Sequence, residues 1–218
     1  MSVAAAPLRA VVPMLLGFVV ALAFAQDPAV VPPGDPQAAA RAEYQRLAQE
    51  IEKLASRNAW AGVERTYLAL VATGVAPSFA DHLAGAHAAR AVGDVASARQ
   101  RLLAANLLQE DRAVLDWLWE IDSRYNKVFL ACDPGKRALL PEEMPFDPNM
   151  QLAVTFAQAQ IDAFGLFDGY LPQGRYTFGD SAVVVEPRVQ SVLMDFRTAG
   201  GIRAMERQKR KEEKKDEK

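Results

Sequence analysis

Residues 79–111, FADHLAGAHAARAVGDVASARQRLLAANLLQED, carry the pattern that most limits how this chain folds. Leu83, Ala86, Ala89 and Arg90 recur at gaps of three and four, and so do Val95, Ala98, Leu102 and Ala105. Such gaps place residues on one face of a helix. Gly93-Asp94 separates the two runs. Glycine tolerates the left-handed conformation that ends a helix, and aspartate caps the next one. Two helices folded back on each other are therefore expected, with Ala86 and Ala98 letting their backbones approach.

The spacing resembles a tetratricopeptide (TPR) repeat, a helix-turn-helix motif of roughly 34 residues. Ala86 stands at the small position of its first helix, Gly93-Asp94 at its turn, and Ala98, Leu102 and Ala105 at the small, large and small positions that follow. His82 stands where that repeat usually has Trp, and Glu110 where it usually closes with Pro. The resemblance implies a concave groove lined by first helices, which makes His87 and Arg90 candidate contacts for a partner. A weaker copy lies upstream. Leu47, Ile51 and Leu54 form one stripe, Asn58 a turn, and Val63, Tyr67 and Leu70 a second stripe. Residues 112–122 suit a helical cap, and Trp60 and Trp117 are placed to pack at the ends of the pair.

The first 25 residues read as an export signal: Arg9, an apolar run over 10–24, and Ala23-Phe24-Ala25 before a cleavage point after Ala25. The apolar run is shorter than the roughly 20 residues that span a bilayer. No Cys stands at the cleavage point, so a bacterial lipoprotein is not expected. The mature chain is expected to be periplasmic or secreted, without a stable membrane span. Residues 26–37 hold Pro28, Pro32, Pro33 and Pro36 and read as a linker.

Charge argues against a nucleic-acid partner. From Arg203 onward there are eight basic and five acidic residues, and the body outside that tail and Arg9 keeps sixteen basic against twenty-two acidic. Cys132 is alone, so no intrachain disulfide supports the fold, and a small buried position on a strand is expected for it.

After Asp122 the periodicity changes. Residues 128–132 form a short apolar run before the turn signal Asp133-Pro134-Gly135. Residues 149–164 fit two patterns: Leu152, Val154 and Phe156 alternate as in a strand, while Val154, Ala157, Ile161 and Phe164 make a helical stripe. The first half is read as strand. A type I turn is expected over 171–174, a tight hairpin at Gly179-Asp180, and a last strand over 189–196. The run G-x-F-x-x-x-L-P-x-G-x-Y, with Gly165, Phe167, Leu171, Pro172, Gly174 and Tyr176, resembles the carboxypeptidase regulatory-like and PEGA-type β-sandwich modules. The resemblance implies a non-catalytic add-on module in which these residues are structural. Residues 198–218 have mixed charge and few apolar positions, and read as a helical or disordered tail.

Chemistry is sparse. His82 and His87 are five apart, which puts them on different helix faces, so no metal pair is expected. No G-x-S-x-G, H-E-x-x-H, phosphate loop or dinucleotide fingerprint occurs. Glu142, Glu143 and Asp147 offer a carboxylate pair for glycoside hydrolysis, but exposed acids are common. Trp117, Trp119, Tyr125 and Phe129 either stack on a sugar or fill a seam between the helical and β parts, and Trp117 joins His87 and Arg90 as a candidate contact.

The expectation is thus an α+β chain, with TPR-like α-helical hairpins (about 42–122, within a helical domain 38–122) followed by a small antiparallel β-sandwich-like domain (about 125–196, within 124–197). No catalytic, cofactor or metal residue is assigned. The expected function is non-enzymatic: an adaptor that holds another protein of the cell envelope. A module binding cell-wall sugar or polysaccharide, and a glycoside hydrolase-like enzyme using Glu142 or Glu143, are the alternatives.

Overall fold

Six helices and six strands follow one another in the computed structural model, which describes residues 36–198. The expected export signal at 1–25, most of the expected linker at 26–37 and nearly all of the charged tail lie outside the described residues. The described residues belong to one unit that begins at Asp35.

The helices begin and end where local chemistry dictates. Helix α1, Pro36–Ala55, opens on a proline, so Pro36 and Gln37 stand in its first turn; it buries Leu47 and Ile51. Asn58 takes a left-handed φ of 55° and turns the chain into α2, Trp60–Ala72. Ser78 caps α3, Phe79–Val92, in a reciprocal box with Asp81. Gly93, at φ 90°, ends α3, and Asp94 caps α4, Val95–Leu108, by accepting from the Ser97 N–H at 2.9 Å. Helix α5, Arg112–Arg124, is capped by Asp111. Ala86 and Ala98 are fully buried at the α3–α4 contact. Between α2 and α3 the close approach falls at Gly85, where a Cβ would stand 2.7 Å from the Tyr67 ring.

A buried ion pair ties three helices together. Arg101 of α4 is bidentate to Glu64 of α2 at 2.5 and 2.7 Å and donates to the carbonyl of Gly85 in α3 at 2.7 Å. Its guanidinium also lies 4.2 Å from the centroid of Tyr67. These three bonds and the ring contact offset part of the cost of removing the pair from water.

Strand β1, Tyr125–Ala131, starts at the residue after α5. It lies in the centre of a three-stranded sheet, antiparallel to β3, Leu166–Pro172, and parallel to β6, Val192–Asp195. Strands β2, Leu139–Pro141, β4, Gly174–Phe178, and β5, Ser181–Val185, form a second, antiparallel sheet in the order β2-β4-β5. The two residues Gly179-Asp180 make the expected tight hairpin, with Gly179 at φ 61°.

Three local expectations are corrected. Residues read as strand at 149–156 belong to helix α6, Pro148–Phe164. Asp147 caps it, Pro148 occupies the first turn and Gly165 ends it in the left-handed region. Its buried stripe is Val154, Ala157 and Ile161, whereas Leu152, which the alternation would bury, is 40% exposed. The 171–174 segment is a one-residue bend, not a type I turn. Gln173 alone separates β3 from β4, its N–H bonds the Arg124 carbonyl at 2.9 Å, and the two strands enter different sheets. The last strand is shorter than 189–196, and its partner is parallel, so the β part is only mostly antiparallel.

Helix α6 joins both sheets in one core with Leu130, Phe167, Tyr176, Phe178 and Val183. Cys132 sits in this core, buried, just past the end of β1. A second core mixes helices with the β part: Ala86, Leu102, Leu118 and Ile121 gather with Tyr125 and with Ala153 of α6. At this junction a Cβ on Gly93 would stand 2.3 Å from the carbonyl oxygen of Leu152. The backbone cannot yield as a side chain does. Gly93→Ala is therefore expected to destabilise the fold by about 2–4 kcal/mol in urea unfolding, from strain at positive φ plus the clash. Arg101→Ala should cost about 3–5 kcal/mol by stranding Glu64, and the double variant Arg101→Met/Glu64→Met should recover most of that loss.

Candidate functional site

The three contact residues picked from the sequence come together in space. His87 and Arg90 are three apart on α3, Trp117 and Glu120 three apart on α5, and both pairs face the seam between these helices. The His87 ring lies 4.6 Å from Trp117 and 5.9 Å from Trp60, at the first position of α2. One imidazole is thus flanked by two indoles. Arg90 lays its guanidinium 5.2 Å from the Trp117 centroid and binds Glu120 at 2.7 and 3.4 Å. The charges continue: Glu120 is 3.7 Å from Arg124, which reaches Asp147, the cap of α6, at 3.0 Å.

His87 remains exposed within this stack, while Trp60, Arg90 and Trp117 are half-buried. Partial burial, and then the neighbouring Arg90, hold the His87 ring below its usual pKa, so it is neutral at pH 7. Burial pushes the nearby Tyr125 phenol up to about 12. The indole N–H of Trp117 is buried and has no acceptor. Trp117 is therefore held by its packing and by Arg90. Sequence reasoning placed Trp60 only at the end of a helix pair and did not find Glu120, Arg124 or Asp147 as members of the charged chain. The spacing of Trp117, Glu120 and Arg124 at three and four along α5 was the available signal.

His82 belongs elsewhere. Its Nδ1 is 2.9 Å from the Tyr67 hydroxyl, which donates to it in the tautomer that carries its proton on Nε2. Asp81 beside it accepts from Tyr44 at 2.5 Å and from Ser78 at 2.6 and 2.9 Å. These contacts staple α1 to the start of α3. The two histidines thus serve different faces, and among the described residues no group of three or more His, Cys, Asp and Glu is placed to hold a metal.

The remaining candidates separate. Glu142 and Glu143 are exposed, and Asp147 is occupied as a helix cap and as the partner of Arg124. Tyr125 is buried at the junction of the helical and β parts, whereas Trp119 stands 65% exposed on another face. Burial pushes the Cys132 thiol up, away from the thiolate form that reacts.

No family model matches the chain, and no curated protein or solved structure matches it either. The geometry itself offers flat rings, one exposed imidazole and a string of paired charges.

Burial leads the causes that depress both histidines. The unfolded chain takes up protons near its ordinary value of about 6.5, while the folded chain resists until lower pH. In that window the unfolded state binds more protons, so stability rises with pH. Lowering the pH from about 7 to about 5 is expected to lower the melting temperature. The slope should flatten in the double variant His82→Gln/His87→Gln; an unchanged slope would assign the effect to other groups.

Proposed function

We propose that this chain is a non-enzymatic adaptor that acts outside the cytoplasm and holds another protein of the cell envelope. Its helical part is read as TPR-like hairpins and its β part as a module of the carboxypeptidase regulatory-like or PEGA kind. Export rests on the signal-like run at 1–25. No helix among the described residues is long and apolar enough to cross a membrane.

The observation that carries the reading is the exposed His87 between Trp60 and Trp117, with the Arg90–Glu120 pair alongside. Trp and Arg dominate the energetic centres of protein interfaces because they combine large apolar area with directed hydrogen bonds. Here both are pre-positioned by helix packing, so little side-chain entropy is lost when a partner arrives. The charged chain from Arg90 to Asp147 supplies a polar rim that selects orientation.

A photo-crosslinking amino acid at His87 is expected to trap one defined protein in the cell envelope. The same probe at Leu107, which is highly exposed on α4, is the control and should not trap it. Arg90→Glu should weaken capture by about tenfold or more, because it opposes Glu120 and removes the cation over Trp117. Capture at Leu107 and not at His87 would move the contact to the other side of the helices.

A further inference from the structure

A second surface has the features of a built ligand site. The end of α5, strands β1 and β3 and the segment after β5 border an open cleft of about 670 Å³, onto which Trp119 faces. This Trp is 65% exposed, although an indole is among the side chains with most to gain from burial. Asn126, only 9% exposed, braces the cleft wall from beneath. Its amide donates to the carbonyls of Glu186, Val189 and Gln190 at 2.8, 3.4 and 3.4 Å, and its oxygen accepts from the Lys127 N–H at 2.8 Å. Arg188, in the segment so held, adopts a left-handed φ of 62°, which is rare for a residue with a side chain. That conformation brings its guanidinium 5.8 Å from the Trp119 centroid.

The charges around the ring are paired except that of Arg188, which lies over the indole in no ion pair among the described residues. Lys127 pairs with Asp168 at 3.4 Å, and Arg99 with Asp122 at 2.8 and 3.2 Å. A phosphorylated ligand favours several uncompensated cations where this ring has Arg188 alone, and an apolar peptide favours a drier wall. An indole face beside fixed donors and acceptors with little net charge matches a different shape: a ring with an apolar C–H face and a rim of hydroxyls. We propose that this cleft binds a saccharide, its ring stacked on Trp119 and its hydroxyls hydrogen-bonded to Arg188, Lys127 and Asp122. This site is separate from the His87 face and does not depend on it.

The test is calorimetric titration of the full chain with cellohexaose, chitohexaose and an oligogalacturonate. Binding of at least one is expected, weakened by about tenfold or more in Trp119→Ala and weakened also in Arg188→Ala. Trp119 is exposed, so its removal should leave the melting temperature unchanged, which separates lost binding from lost folding. Trp117→Ala and Arg90→Glu serve as controls that should titrate as the unaltered chain does. No heat with any probe at millimolar concentration overturns the proposal, as does binding that survives Trp119→Ala. Loss of crosslinking at His87 with intact sugar binding would count against the adaptor reading alone.

Discussion

The seat of Gly93 on the Leu152 carbonyl is the contact through which the two parts of this molecule hold their geometry. The glycine does two things at once. Its positive φ lets α3 end and α4 begin, and its missing Cβ lets that turn press against the backbone of α6. Around it, Ala86, Val95 and Ala153 close a core to which helices and β part both contribute. The position of Asp147 relative to Arg124, and hence the far end of the charged chain on the contact face, follows from how α6 is seated.

Polar groups inside the helical part act as registers more than as sources of net stability. The Arg101–Glu64 pair, with Gly85 as its third partner, is satisfied only when α2, α3 and α4 lie at one relative depth. Tyr44, Asp81 and Ser78 do the same for α1 and α3. Apolar stripes alone permit helices to slide by a turn; groups that must find specific partners do not.

What the residues told in advance was local. The α3–α4 hairpin, the Asn58 turn, the Gly179-Asp180 hairpin and the burial of Cys132 follow from caps, turn chemistry and short-range periodicity, and each appears where expected. The first half of α6 reads as strand because Leu152, Val154 and Phe156 satisfy a period of two as well as Val154, Ala157 and Ile161 satisfy a helical one. The deciding signals were Asp147-Pro148 at its start and Gly165 at its end. The parallel pairing of β6 with β1 has no local signature, since strand partners distant in sequence are chosen by the core. The grouping of Trp60, His87 and Trp117 was out of reach for the same reason. Three helices contribute one ring each, and only their packing brings the rings within stacking distance.

The absence of any loop between α5 and β1 has a mechanical consequence. The buried side chains of Leu118, Ile121, Tyr125 and Val128 follow one another along one continuous stretch of backbone, so helix and strand are joined as a single strut. Trp117 and Trp119 sit on opposite flanks of that strut, one half-buried against its neighbours and one open to water. A twist of the helix is therefore handed directly to the strand, with no connecting segment in which it could dissipate.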